Sequence, residues 1–236
     1  MNDWSIQVRD NLFRIQERIE KACLRSGRKP ADVTVIAVTK YLDAEHMGML
    51  LDLGVEHVGE NRVQAAIEKF QRLGDRGTWH FIGQLQTNKV RQVLGRFTYI
   101  HSLDRLSLAQ ELDKRAARMQ TPVNCFLQVN VSGEATKTGL SPQEVKGFVE
   151  TIGNLKYIRV IGLMTMAPMT ENPEETRPVF RRLRQLRDEV SAMGVPNVPA
   201  EHLSMGMSGD FEVAVEEGAT FVRLGQILYQ TSGKGG

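Results

Sequence analysis

Two rhythms of apolar and polar positions alternate along the chain. Over residues 4–25, Leu12, Ile15, Ile19 and Ala22 recur at helical spacing with charged residues between them, which predicts an amphipathic helix. Gly27 and Pro30 stop it. From residue 33 onward, short apolar and β-branched runs take turns with helix-like stretches. The runs, at 33–38, 55–58, 78–82, 97–101, 123–129, 157–163, 202–204 and 220–224, read as strands. The stretches between them predict helices over 44–53, 62–73, 87–94, from Ser102 to 119, from Ser141–Pro142 onward, over 173–193 and over 208–217. Ser141 as N-cap with Pro142 in the first turn marks one start, and Gly54 and Gly218 mark two ends.

Strict strand–helix alternation implies a parallel sheet. Eight units favour a closed (β/α)8 TIM-type barrel over an open doubly wound sheet, with the extra N-terminal helix expected to cap its lower end. No linker, low-complexity stretch or solenoid period interrupts the pattern, so residues 1–236 read as one barrel domain. The tail Gly233–Gly236 reads as disordered.

At 41% hydrophobic and 25% charged residues the chain has the material for an ordinary globular core. Thirty basic against 28 acidic residues leave a net charge of +2, which argues against nucleic-acid or membrane-surface partners. Cys23 and Cys125 have no metal-ligand spacing, the first residues lack the apolar core of a signal peptide, and no apolar run is long enough to span a bilayer. Together these point to the cytoplasm and to no bound metal. HExxH, CxxC and GxxxxGK[ST] are all absent, so zinc-protease, redox-motif and P-loop chemistry have no support.

Barrel chemistry lies at the C-terminal ends of the strands. Read in order, those ends offer Lys40, Glu60–Asn61, Gly83, His101–Ser102, Asn130, Met164–Thr165, Ser204 and Arg223–Gly225. The set is polar, small or cationic and suits an anionic, planar ligand. Lys40, delivered by the first strand, is the leading candidate. An amine among apolar walls and other cations gives up its proton more readily and can form a Schiff base with an aldehyde. The competing reading is a solvated strand-end lysine. Ser204 and Ser208, just ahead of a helix, suit a phosphate, or simply cap that helix. Arg223 and Gly225 extend the anion site to strand eight, where barrels commonly hold phosphate; the alternative for Arg223 is a salt bridge within the barrel. Asn61 either bonds a ring substituent or turns the chain. His101 is an acid–base candidate by position alone, and His80 reads as a core histidine. Arg177, Arg181, Arg184 and Arg187 read as a solvated helix face, and Met164–Met169 as core packing.

The motifs Ala37–Lys40, Gly59–Asn61, Trp79–Lys89, Lys137–Gly139, Gly162–Met164, Leu203–Asp210 and Val222–Gly225 resemble the YggS/PROSC family of pyridoxal-phosphate homeostasis proteins from about residue 5 to residue 230. The resemblance implies a fold-type III barrel like the N-terminal domain of alanine racemase, with pyridoxal 5′-phosphate (PLP) as cofactor. It matches Lys40 to the lysine of the internal aldimine, and Ser204, Gly225 and Gln226 to positions near the phosphate. It matches Arg223 to the arginine facing the pyridine nitrogen or the phosphate, a neighbour that weakens the ring as an electron sink. The sequence departs from many relatives at Leu228–Thr231. The implied function is a carrier that buffers PLP and supports vitamin B6 and amino-acid balance, with PLP-dependent apo-enzymes as recipients and a monomeric state. The racemases' second domain, which supplies a tyrosine base, would begin about where this chain ends. The alternative is a PLP-dependent amino-acid racemase using Lys40 and His101 as bases. An RNA-binding barrel using the arginine helix is disfavoured by the charge balance.

Overall fold

The computed structural model describes residues 3–229. The expected disordered tail at 233–236 lies outside the described residues. In chain order the elements are α1 (Asp3–Ser26), β1 (Thr34–Val38), α2 (Ala44–Asp52), β2 (His57–Glu60), α3 (Val63–Leu73), β3 (Thr78–Phe81), α4 (Val90–Val93), β4 (Tyr99–Leu103), α5 (Leu106–Met119), β5 (Val123–Gln128), α6 (Val145–Ile152), β6 (Ile158–Met164), α7 (Arg177–Ser191), β7 (His202–Ser204), α8 (Phe211–Glu216), β8 (Phe221–Leu224) and α9 (Gln226–Tyr229). Each strand pairs in parallel with the next, and β8 returns to β1, where Ile36 stands opposite Arg223. The barrel is closed and the expected TIM architecture is present.

The two-residue period of a strand sorts its side chains between two layers. Ile36, Phe126, Ile161, Met164 and Phe221 form a small cluster inside the barrel. Their sequence neighbours, such as Ala37, Leu127 and Val222, join the much larger shell between strands and helices. Helices supply that shell from one stripe each; α7 buries Phe180, Leu183, Leu186 and Val190. Truncating a buried phenylalanine in either layer costs about 3–5 kcal/mol.

Several boundaries depart from the sequence pattern for identifiable reasons. Strands β2 and β4 each begin two residues later than the apolar runs. Phe97 is buried edge-on between Trp79 and Phe81, with centroids at 5.9 and 5.5 Å, so its apolarity serves the outer core and not the ladder. Ser102 does not open a helix. It lies inside β4, and α5 starts at Leu106. Ser141–Pro142 likewise begins a turn, closed by Glu144 N–H to the Ser141 carbonyl at 3.0 Å, and α6 starts only at Val145. Ser208 also precedes a turn; α8 starts at Phe211.

Helix α1 does not cap the lower end of the barrel. It packs in the outer layer against α8 and α9 and touches α2. Arg18 and Arg25 pair with Glu212 and Glu216 at 2.7 and 2.6 Å, and Asn11 donates to the Leu228 carbonyl at 3.1 Å. The arginine face of α7 is more than solvated: Arg177, Arg181 and Arg184 all reach Glu217, at 3.2, 2.9 and 3.2 Å, and tie α7 to the end of α8. No described helix is long and apolar enough to cross a membrane.

Candidate functional site

The end of β1 is fixed from two sides. Tyr229 donates its hydroxyl to the Val38 carbonyl at 2.6 Å. Lys69 donates to the Thr39 carbonyl at 2.8 Å and to Glu60 at 2.6 Å, while the Thr39 hydroxyl donates to the same carboxylate at 2.5 Å. Lys69, Glu60 and Thr39 are all buried. This pinned strand end delivers Lys40 to the mouth of the barrel. Lys40 is exposed, not walled in by apolar groups as the sequence suggested, and its ammonium lies 4.9 Å from the centre of the Tyr41 ring.

Arg223 comes from the far end of the chain. It is inside the barrel and only 5% exposed. One terminal nitrogen donates to the Ser204 hydroxyl at 2.7 Å and the other to the Thr165 carbonyl at 2.9 Å. Among the described residues no carboxylate approaches within salt-bridge distance, so the salt-bridge alternative does not apply. Burial lowers its pKa to about 10, partly opposed by the charge of Asp210, and the guanidinium remains a cation at neutral pH. Asp210 is itself raised by burial, an effect opposed by the Met207 N–H that it accepts at 2.6 Å.

Lys40 and Arg223 open into one cavity of about 800 Å³, within the range of cofactor sites. Asn61, Ser208, Gly225 and Gln226 line it too. The Ser208 hydroxyl accepts from the Gly225 N–H at 3.4 Å, joining the loops after β7 and β8. Gly83 lines the wall at the end of β3, where a Cβ would collide with the Asn61 carbonyl, so only glycine admits this close approach. Gly225 is different. A Cβ there would meet Tyr229 and Val38 only at ordinary contact distances of 3.4 and 3.6 Å, so protein packing does not demand glycine.

Ser204 and His101 are not among the lining residues. Both are completely buried below the cavity floor, hydrogen-bonded to each other at 2.9 Å. No histidine lines the cavity. Sequence reading missed Tyr41, Gln128, Met207, Asp210 and Tyr229 as lining residues. Met207 and Asp210 lay within a motif already singled out, whereas Tyr229 gave no signal because its role depends on α9 folding back over β1.

The donor set suits a small anionic aldehyde: a primary amine, a buried guanidinium with no carboxylate within salt-bridge distance, a hydroxyl, and a glycine whose missing Cβ leaves room for a ligand. Comparison with known proteins points the same way. The family described as alanine racemase, N-terminal domain, matches residues 11–233. A pyridoxal phosphate homeostasis protein of Aquifex aeolicus is 46% identical over 221 residues, covering 93% of this chain and 96% of that one. Among solved structures, a Bifidobacterium adolescentis protein of unknown function superposes with a TM-score of 0.90 at 33% identity, over 97% of both chains. PipY of Synechococcus elongatus, with PLP bound, superposes at 0.78 with 36% identity, over 92% of this chain and 100% of that one.

Proposed function

The chain belongs to the family of pyridoxal phosphate homeostasis proteins, built on the alanine racemase N-terminal domain, and from that premise we propose that it holds PLP covalently on Lys40 and serves the cell's PLP and amino-acid balance. The observation that carries this reading is a buried cation with no carboxylate within salt-bridge distance, Arg223, facing the same cavity as a strand-end lysine. When bound, PLP supplies an aldehyde that a primary amine captures by condensation. Lys40 provides the amine. Ser208, the backbone at Gly225 and the side chain of Gln226 meet the phosphate, and Asn61 a ring substituent. Arg223 offers its remaining N–H donors to the ring nitrogen or to the anion, and Ser204 serves both through Arg223.

The carrier reading is favoured over the racemase. A racemase needs a second base beside Lys40, and His101, the candidate for it, is enclosed beneath the cavity and bonded to Ser204. The protein acts as one domain and as a monomer, and passes PLP to apo-enzymes. A cytoplasmic setting suits two cysteines that are both buried and free.

Incubation with PLP followed by borohydride reduction and peptide mapping tests the assignment. The label is expected on Lys40, and Lys40→Ala is expected to fold yet stay colourless. Label on another lysine, or colour retained by the variant, overturns it. Conversion of L- to D-amino acids at roughly one turnover per second or faster would defeat the carrier reading.

A further inference from the structure

Three consecutive strands each contribute one histidine to the barrel interior. His57 Nδ1 lies 2.9 Å from His80 Nε2, His80 Nδ1 lies 2.9 Å from His101 Nε2, and His101 Nδ1 lies 2.9 Å from the Ser204 hydroxyl. Arg223 donates to that same hydroxyl at 2.7 Å. The result is an unbroken string from β2 through β3 and β4 to β7 and β8. Its upper end is Arg223, in the Lys40 cavity. Its lower end is His57, which lines a second groove, about 540 Å³, at the N-terminal end of β1 and β2, together with Gln16, Thr34 and Glu56.

Chemistry fixes the direction of the string. Arginine only donates, so the Ser204 oxygen accepts from Arg223 and its proton is free to go to His101 Nδ1. His101 then carries its proton on Nε2 and donates to His80 Nδ1; His80 in turn donates from Nε2 to His57 Nδ1. In the opposite polarity the Ser204 oxygen accepts twice and its own proton is left without a partner. The rings cannot readily turn to escape this order. His80 stacks on Tyr99 at 4.6 Å and His101 on Phe126 at 4.3 Å, with Phe221 against both. Every neutral imidazole therefore points its lone pair toward Arg223, and linked hydrogen bonds polarise one another.

We propose that His101, His80 and His57 are positioning residues of the Lys40 cavity, whose directed string steadies Arg223 and couples anion occupancy of the cavity to protonation of His57 at the opposite end of the barrel. The proposal rests on the reading of that cavity as a site for a phosphorylated, anionic ligand. Burial keeps His80 and His101 neutral, well below the ordinary histidine value. His57 is the one member that opens to a groove. Glu56 is the charged group acting on it, while α1, β1, β3 and β8 present uncharged Gln16, Thr34, His80 and Phe221. A proton on His57 sets two donors face to face at the His80 contact and adds positive charge to a string that already ends on a cation. An anion docked against Arg223 weakens its pull on the Ser204 oxygen, and with it the polarisation that the string carries to the His80 donor facing His57. By linkage, cavity loading and His57 protonation must favour each other equally.

The test uses the full-length protein labelled with 15N at histidine, with and without PLP, and separately with inorganic phosphate. Ring-nitrogen shifts are expected to show His80 and His101 as Nε2–H tautomers. The His57 titration midpoint is expected to rise on loading by about one pH unit, a tenfold coupling. Ser204→Ala, which cuts the string while leaving every charge in place, is expected to abolish most of that rise, and His101→Gln to retain more of it than His101→Phe. Nδ1–H tautomers, an unmoved His57, or a full rise in the Ser204→Ala protein each overturn the proposal. A normal string and a phosphate-induced rise, in a protein that borohydride does not label at Lys40, would sink the PLP assignment and leave the coupling standing.

Discussion

Two buried cations flank the same barrel mouth, and they are compensated in opposite ways. Lys69 is locked to the buried carboxylate of Glu60 at 2.6 Å and to the Thr39 carbonyl at 2.8 Å. Arg223 has only a hydroxyl and a carbonyl in contact, backed by neutral imidazoles, with the charge of Asp210 beyond salt-bridge distance. A buried charge must be met by partners in either case. A carboxylate neutralises the field of Lys69 and turns it into a strut behind Lys40. Dipoles stabilise Arg223 and the charge of Asp210 acts on it only from beyond salt-bridge distance, so its field still reaches into the cavity. Burial alone is therefore a poor guide to function; the chemical kind of the compensating partner separates scaffold from site.

Variants can collapse this contrast or make it sharper. The largest effect is expected from Glu60→Ala, which strands Lys69 without its counter-charge and should cost about 3–5 kcal/mol in denaturant unfolding. Arg223→Met should cost less than Glu60→Ala in the same measurement, because it removes a cation whose only fixed partners are neutral; equal losses would erase the distinction between the two cations. Next, Ser204→Ala should weaken PLP retention by about 1.5–3 kcal/mol, the scale of a hydrogen bond to a charged group, as read by absorbance titration. An unchanged affinity would show that Arg223 needs no support from β7.

Acid should weaken the Arg223 side. Burial depresses His80 and His101 below their ordinary value of 6.5, so the unfolded chain binds protons there that the folded chain refuses. Their neutral state is cost-free above about pH 6.5. Below it, stability should fall by about 1.4 kcal/mol per pH unit for each ring until the folded value is reached. Melting temperatures at pH 7.5 and 5.5 read this, and His80→Gln should flatten the slope. The smallest effect is expected from Tyr229→Phe, which removes one bond to the Val38 carbonyl and should cost about 0.5–1.5 kcal/mol in unfolding, with little change in PLP affinity.

The barrel was legible because alternation is a local property. Val35–Val38 and Phe221–Leu224 announce strands whatever they pair with. Errors gathered where polar and apolar residues served a distant partner. Phe97 looked like strand because the outer core needed its ring, and Ser102 looked like a helix cap because its enclosure inside β4 is invisible in one dimension. At the site, Lys40, Arg223, Ser208 and Gly225 could be named from strand ends, since a parallel barrel sends all such ends to one face. The Glu60–Lys69 pair and the three-histidine string escaped notice. Lys69 reads as one of many helix-surface lysines, and the histidines are separated by 23 and 21 residues in sequence, meeting only once three strands are side by side.

Helix α1 carries a consequence for how the chain comes to be folded. Its partners are synthesised long after it: Asn11 reaches Leu228 across 217 positions, and Arg18 reaches Glu212 across 194. Helix α1 leaves the ribosome well ahead of α8 and α9 and thus waits, its apolar stripe of Val8, Ile15 and Ile19 uncovered, until they have emerged. Contacts of such long sequence separation slow folding and prolong the aggregation-prone interval. Nascent chains halted before residue 211 should accordingly recruit chaperones, whereas chains released past residue 229 should bury that stripe unaided.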